Sequence, residues 1–193
     1  MSDAPSVSDE SAPLWSLRRL PTLNGESISQ LADVLIDCVD GGASVSFMAP
    51  LSREHALAFW TMVAEDVADG ERVVIVAEDG EGICGTVQLI LAQPQNQPHR
   101  ADVAKMLVHR RARRHGIGGA LIREAECAAR DAGKTLLVLD TITGSDADRL
   151  YERNGWVRVG EVPDYALLPH GGLSGTTFFY RRVPNAAHDP SAP

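Results

Sequence analysis

A basic loop between an apolar strand and a glycine-rich helix start constrains this sequence more than any other feature. An apolar strand pattern runs over residues 101–108, and the next seven residues, His109 to His115, include four arginines and no acid. Gly116, Gly118 and Gly119 then open a helical pattern. Because glycine lacks a side chain, the backbone of such a turn can approach a ligand closely.

The turn has the chemistry of an anion-binding site. The N-terminus of a helix presents free N–H groups with a partial positive charge, and Arg113 and Arg114 can add charged hydrogen bonds. The whole chain has a net charge of −8, which disfavours nucleic acid and anionic lipid as partners. A basic loop on an acidic protein therefore indicates a local anionic ligand.

From the residues alone, three interpretations of the turn stay open. The first is a solvated basic turn with no ligand. The second is a dinucleotide fingerprint, since Asp140 lies 22 residues after Gly118, but Leu121 occupies the third glycine place and the long basic loop does not fit. The third is a site for the pyrophosphate of coenzyme A. A Walker A loop is excluded because no Lys-Ser/Thr pair follows the glycines.

The periodicities predict one folded domain over residues 14–183, with disordered tails at 1–13 and 184–193. The element order is β-α-α-β-β-β-α-β-α-β-β, a mixed α/β structure. Ser27 and Gln30 resemble a capping box at the first helix. The predicted strands cover residues 14–20, 72–77, 83–91, 101–108, 135–140, 156–159 and 176–180, and the helices begin near Ser27, Ser52, Gly116 and Ser145.

Composition narrows the class of protein. The 193 residues are 44% hydrophobic, without an apolar run of the ~18 residues that a membrane span needs. The first 13 residues show no secretory pattern, and the three cysteines are scattered. We expect a reduced, cytoplasmic protein with no metal, no membrane partner and no nucleic-acid partner, and a homodimer stays open.

Two motifs carry a family resemblance. Arg113, Gly116 and Gly118 after their strand resemble motif A of the GNAT N-acetyltransferase superfamily, and the Leu-Tyr-Glu-Arg-Asn-Gly-Trp sequence at 150–156 resembles its motif B. Residues 163–169 and 176–180 resemble the small-molecule branch that includes tabtoxin-resistance acetyltransferases. The resemblance implies a mixed, mostly antiparallel central sheet, flanked by helices and splayed in a V between the fourth and fifth strands.

The resemblance also implies acetyl-CoA as cosubstrate, bound in the V-shaped cleft. The backbone of residues 106–108 would pair with the pantetheine arm, and the N–H groups of residues 113–119 would hold the pyrophosphate. Family members often carry an asparagine where this chain has Gly144, so we assign that contact to Ser145. The predicted cofactor-binding residues are Met106, Leu107, Val108, Arg113, Arg114, His115, Gly116, Ile117, Gly118, Gly119 and Ser145.

The chemistry of acetyl transfer calls for an acid and a base. By the resemblance, Tyr151 would protonate the departing thiolate. Asp140 ends a buried strand at the mouth of the expected cleft and is the predicted base, although a role as a turn residue bonded to Thr141 or Thr143 stays open. The N–H of Val108 is a donor for the developing oxyanion.

For the acceptor, Trp60 and Tyr165 are the predicted contacts, with Met48 and His170 as further candidates. Trp60 also fits a buried helical stripe, so a core position stays open for it. We expect an N-acetyltransferase acting on a small amine, with amino-acid-like toxins and antibiotics among the candidates. The alternatives are an acetyltransferase for protein N-termini or lysines and a non-catalytic acyl-CoA-binding sensor domain.

Overall fold

The computed structural model describes residues 14–184. The predicted tails, at 1–13 and 184–193, lie outside the described residues except for Pro184. No helix in the described part of the chain is long and apolar enough to cross a membrane.

The elements follow the predicted order, built around a seven-stranded sheet. The sheet order is β1-β2-β3-β4-β5-β7-β6, and every neighbouring pair is antiparallel except β4 and β5. The predicted fold class is therefore confirmed. The elements are β1 (Ser16–Leu20), α1 (Gly25–Asp40), α2 (Arg53–Ala68), β2 (Arg72–Asp79), β3 (Gly82–Ile90), β4 (Arg100–Val108), α3 (Ile117–Asp131), β5 (Leu136–Ile142), α4 (Asp146–Arg153), β6 (Val157–Leu167) and β7 (Leu173–Arg182), with a 3₁₀ turn at Arg110–Ala112.

Helices cover both faces of the sheet. Alternate residues of a strand point to opposite faces, so β2 sends Ile75 toward α3 and Val76 toward α1 and α2. Leu121 of α3 and Leu35 of α1 are fully buried in these two cores. Each such side chain contributes about 1.5–3 kcal/mol on burial, so the two cores hold the sheet rigidly between the helices.

The sheet splays between β4 and β5. These strands pair only from Arg100 to Asp102, opposite Leu136 to Val138. Among the described residues, no strand pairs with this edge of β4 beyond Asp102. On its other side β4 stays paired with β3, although the register shifts between the pairs Gln88–Ala104 and Thr86–Leu107. The two parallel strands therefore diverge into the V-shaped cleft that the resemblance implied.

The first helix begins earlier than the sequence indicated. Asn24 caps α1, because its side-chain oxygen accepts a hydrogen bond from the N–H of Ser27 at 2.9 Å. Gln30, the expected partner of the capping box, instead accepts a hydrogen bond from the N–H of Ile83 at 2.8 Å. The prediction of Ser27 as the cap was wrong, since two suitable capping residues lie three positions apart.

The last two strands are longer than the sequence indicated. β6 lies at the edge of the sheet, and ten of its eleven residues are exposed. Such a strand needs no apolar alternation, so its sequence carries little strand signal. Pro163 lies in β6 where the register with β7 shifts between Val162 and Ala166, a place where a residue without an N–H is tolerated.

Candidate active site

A cleft of about 820 Å³ opens where β4 and β5 separate. Its walls are the end of β4, residues 41–46, the basic loop, the start of α3, the end of β5, and α4. The structure thus brings together residues that are distant in the sequence, such as Met106 and Tyr151, which lie 45 positions apart. Of the predicted residues, Met106, Leu107, Val108, Arg113, Arg114, Gly116, Ile117, Gly118, Gly119, Asp140, Ser145 and Tyr151 line the cleft.

The glycine turn presents backbone donors at the start of α3. Gly116 is the N-cap of α3 with φ of 80°, a left-handed conformation that favours glycine, and no side chain caps the helix. The first hydrogen bond within the helix is donated by the N–H of Ala120 to the Gly116 carbonyl. The N–H groups of residues 117–119 precede that bond, so they are available to an anionic ligand.

Gly118 has a second role in packing. A Cβ atom at this position would lie 2.9 Å from Cδ2 of Leu150 on α4. The missing side chain therefore lets α4 approach the first turn of α3 closely. This contact brings Tyr151, the next residue of α4, to the same cleft as the glycine turn.

Two of the four loop arginines are neutralised by acids of the protein. Nε of Arg110 lies 2.7 Å from Oδ1 of Asp37, whose other oxygen accepts from the backbone N–H of Arg110. These bonds lower the pKa of Asp37, although its partial burial opposes them. Arg111 pairs with Asp79 through its guanidinium alone, and its backbone N–H donates to Nδ1 of His109.

The other two arginines direct their charge into the cleft. Neither Arg113 nor Arg114 lies within 4.0 Å of a carboxylate in the described part of the chain. Nε of Arg113 donates to the Val108 carbonyl at 3.1 Å, which holds its guanidinium beside the end of β4. The positive charge that the sequence pattern pointed to is therefore concentrated in these two side chains.

The end of β4 exposes its backbone to the cleft. The N–H of His109 donates to the Cys84 carbonyl of β3 at 2.8 Å. Because successive residues of an antiparallel strand direct their N–H groups to opposite sides, the N–H of Val108 points away from β3. Among the described residues it therefore has no partner on β3 and lies at the open edge of β4.

Tyr151 presents a protonated hydroxyl to the cleft. Its ring packs between Trp156 and Phe179, with centroid distances of 5.6 and 5.9 Å. The side chain is only 5% exposed, and among residues 14–184 its hydroxyl forms no hydrogen bond. Burial raises the pKa of Tyr151 well above its usual value, and the nearby charge of Asp140 adds to the effect.

Asp140 lies at the end of β5, with its carboxylate toward the cleft. Loss of solvent raises its pKa, the Lys105 ammonium opposes this rise, and Asp102 adds to it. Within residues 14–184 neither Thr141 nor Thr143 forms a side-chain hydrogen bond with Asp140, and the hydroxyl of Thr143 is paired with that of Thr177 at 2.9 Å.

His115 and Ser145, two predicted residues, form hydrogen bonds within the protein. His115 does not line the cleft: its carbonyl accepts a hydrogen bond from Nε1 of Trp15 at 3.1 Å, and its ring lies against the Ala112 carbonyl. Ser145 lines the cleft and caps α4, accepting from the N–H of Asp148 at 3.1 Å. Its hydroxyl proton remains available to a ligand.

A second cavity of about 300 Å³ adjoins the cleft and shares Asp140, Ser44 and Ser46 with it. Tyr165 lines this smaller cavity, where its ring meets Phe178 edge-on at 5.6 Å. Met48 also lines it.

Trp60, the other predicted acceptor contact, is placed elsewhere. It is fully buried against Phe59 between the helices and the sheet, and it lines neither cavity. The prediction of Trp60 as an acceptor contact was wrong, because the helical stripe to which Trp60 belongs packs in the core. His170 also lines neither cavity, and its ring meets the Asp40 carbonyl at 3.0 Å.

Several cleft residues were missed by sequence reasoning, and Lys105 is a charged residue among them. Lys105 lines the cleft within β4, where it has a left-handed φ of 49°. The available signal was compositional, since the chain has only two lysines and one of them lies inside an apolar strand.

Comparison with known proteins identifies the domain that contains both motifs. The model of the acetyltransferase (GNAT) domain matches residues 70–158, which include both motifs and the cleft's glycine turn. This part of the chain is therefore a domain of the GNAT superfamily. It is an N-acetyltransferase by this match, as predicted, and the expected cosubstrate of the family is acetyl-CoA.

Solved structures share the fold over most of the chain. yncA from Salmonella typhimurium, whose structure contains its cofactor acetyl-CoA, has 16% identity and a TM-score of 0.73, covering 93% of this chain and 99% of its own. A candidate phosphinothricin N-acetyltransferase has 17% identity and a TM-score of 0.71, covering 89% and 99%. A ribosomal-protein-alanine N-acetyltransferase from Brucella melitensis has 19% identity and a TM-score of 0.71, covering 86% and 99%. The fold is therefore common to proteins named for unlike acceptors.

Proposed function

We propose that this GNAT enzyme transfers the acetyl group of acetyl-CoA directly to the amine of a small molecule. The observation that carries the proposal is the position of Asp140 at the junction of two cavities, of about 820 and 300 Å³. Sites for small ligands typically enclose about 300–1,000 Å³. The larger cavity has room for the cosubstrate, and the smaller one suits a compact acceptor better than a protein surface.

The larger cavity offers the groups that acetyl-CoA needs. Its pyrophosphate would bind the N–H groups of residues 117–119, with Arg113 and Arg114 supplying positive charge. The open edge of β4 at residues 106–108 would pair with the pantetheine amides, as an added strand does. A cosubstrate bound in this way would have its thioester near the end of β4 and the N–H of Val108.

Asp140 is proposed to accept the proton of the acceptor amine. An alkyl ammonium has a pKa near ~10, so it must lose a proton before its nitrogen can attack the thioester. The raised pKa of Asp140 brings this carboxylate closer to the range in which a general base is effective. Its place between the two cavities would put it beside both reactants.

Tyr151 is proposed to donate a proton to the leaving thiolate. A hydroxyl whose pKa is raised stays protonated at neutral pH, and this one forms no competing hydrogen bond among the described residues. The N–H of Val108 would stabilise the oxyanion of the tetrahedral intermediate. The retained hydroxyl also favours an enzyme over the alternative of a silent acyl-CoA sensor.

The experiment is an acceptor screen that detects thiol release from acetyl-CoA, run with small amines, amino acids, a lysine peptide and free peptide N-termini. We expect turnover with small amines at higher kcat/KM than with either peptide. Tyr151→Phe and Asp140→Asn should lose this activity, while Tyr180→Phe and Asp164→Asn, which lie outside both cavities, should keep it. Preference for a peptide would show that the acceptor is a protein N-terminus or lysine rather than a small amine. Acetyl-CoA binding without any turnover would favour the non-catalytic sensor domain.

A further inference from the structure

Lys105 occupies an unusual position on the wall of the cleft. Two residues of β4, Lys105 and Met106, lie opposite the single residue Val87 of β3, which makes a bulge in the strand. Within this bulge Lys105 has φ of 49°, a conformation that is uncommon for a residue with a side chain. Bulges commonly redirect a side chain near an active site, and this one directs Lys105 into the cleft.

The ammonium group of Lys105 is held in place without a negative partner. Nζ lies 5.8 Å from the centre of the Phe47 ring and 5.6 Å from that of Phe59, so two aromatic rings support the cation. It lies 3.5 Å from Oγ of Ser46. No carboxylate in the described part of the chain lies within 4.0 Å of it, so two of its three N–H donors stay free.

The surroundings of Lys105 favour an anionic ligand. Loss of solvent lowers its pKa, the nearby Arg72 guanidinium lowers it further, and Asp140 across the cleft opposes both. Arg72 is itself paired with Asp66 at 2.8 Å, whereas Lys105 has only the more distant charge of Asp140. An anion bound at Lys105 would therefore supply the negative charge that no carboxylate of the described residues provides beside this ammonium group.

The position of Ser46 relates this cation to the acceptor cavity. Ser46 lines both cavities, as Asp140 does, and Phe47 lines the smaller one. Asp140 therefore lies at the junction of the cavities, and the opposite charge of Lys105 lies in the larger cavity, 3.5 Å from a serine that lines both. An acceptor that carries both an amine and a carboxylate would match this pair of charges.

We propose that Lys105 binds a carboxylate of the acceptor, so that the enzyme selects amines of the amino-acid type over neutral amines. The amine would then face Asp140 while the carboxylate accepts hydrogen bonds from Nζ of Lys105 and Oγ of Ser46. This inference rests on the proposed acetyl transfer to a small amine. Lys105 is assigned as a residue that determines specificity and takes no part in the proton transfers.

The first test needs no turnover. Because the chain has only two lysines, protein labelled with ¹³C-lysine gives two side-chain Cε signals, which Lys105→Arg assigns. N-acetyl forms of alanine, methionine and glutamate should shift the Lys105 signal and raise its titration midpoint, since an anion favours the charged form. The corresponding N-acetyl amides, in which glutamate is replaced by glutamine amide, should leave it unchanged. Lys134, which donates to the carbonyls of Leu91 and Pro98, is the internal control.

The second test compares kcat/KM for alanine and methionine with that for alaninamide and methioninamide, measured in each variant. Lys105→Met keeps the length of the side chain and removes the charge. It should lower kcat/KM for the carboxylate members by roughly 10- to 100-fold, the value of a hydrogen bond to a charged group, with much less effect on the amides. Lys105→Arg should retain the preference, and Lys134→Arg should behave as wild type.

The outcomes separate this inference from the proposed function. Equal acetylation of acids and amides, with the same loss in Lys105→Met for both, would leave the acetyltransferase intact and overturn the role of Lys105. A Lys105 signal that responds to no carboxylate at millimolar concentration would also overturn it. A carboxylate-specific response in a protein that acetylates no amine would support the anion site and reject the small-amine function.

Discussion

Removal of one hydroxyl group, in Tyr151→Phe, should abolish most of the activity with little effect on the fold. The ring contributes its packing against Trp156 and Phe179, and phenylalanine keeps both contacts. The hydroxyl forms no hydrogen bond within residues 14–184, so the substitution leaves no donor or acceptor of the protein unpaired. We therefore expect the free energy of unfolding to change by less than about 1 kcal/mol.

The catalytic effect should be far larger. A general acid typically contributes about 100- to 10,000-fold to the rate, equivalent to roughly 3–5 kcal/mol in the transition state. Because only the transition state requires the proton, kcat should fall while the acetyl-CoA dissociation constant stays within about twofold of wild type. The raised pKa of Tyr151 also predicts that its loss leaves the pH profile of the residual rate unchanged below pH 9.

The assay combines steady-state thiol release, calorimetry with acetyl-CoA and thermal unfolding on the same preparation. Tyr180→Phe, a tyrosine of β7 that lines neither cavity, is the matched control. An unchanged kcat, with pre-steady-state data showing that acetyl transfer limits the rate, would refute the acid role. A fall in kcat that tracks a loss of stability would instead show that the hydroxyl matters for folding.

Three further predictions concern the rest of the cleft. Asp140→Asn should remove the acidic limb of the pH–rate profile. Because the pKa of Asp140 is raised, the wild-type limb should lie above the ordinary carboxyl range. A wild-type profile in the variant would exclude Asp140 as the base. Replacing Arg113 and Arg114 together by alanine should weaken acetyl-CoA binding more at low than at high salt in calorimetry, and an affinity independent of salt would argue against an electrostatic role. Gly118→Ala should lower acetyl-CoA affinity in calorimetry, because its Cβ would lie 2.9 Å from Cδ2 of Leu150 and would displace that side chain beside the glycine turn; an unchanged affinity would argue against a role for this close packing.

The residues proposed to bind acetyl-CoA could be predicted to lie together because they are close in the sequence. The strand, the arginines and the glycines follow one another within 19 residues, and backbone conformation at Gly116 is a property of that segment alone. Tyr151 came from a second local motif. The division of the arginines could not be predicted, since Asp37 lies on α1, 73 residues before the Arg110 that it neutralises.

The residues around the proposed acceptor cavity are brought together by tertiary contacts, which the sequence pattern does not indicate. Trp60 was assigned to the acceptor because an aromatic residue on a helical stripe fits either a core or a binding site, and only the packing of α2 on the sheet separates the two. Lys105, in contrast, was not assigned to the site at all. A lysine within an apolar strand carries no sign of the bulge that turns it toward the cleft.

One irregularity of β4 accounts for both the opening of the cleft and the character of its wall. Pairing with β5 stops at Asp102, and the register with β3 shifts only two residues later, between Ala104 and Leu107. A regular β4 would keep its far edge parallel to β5, and a continuous sheet would leave no room for a ligand. The bulge instead interrupts the regular pairing of β4 and directs Lys105 into the cleft that opens between β4 and β5. The left-handed backbone at Lys105 therefore costs some stability, and the same bulge gives the wall of the cleft its one lysine among the described residues.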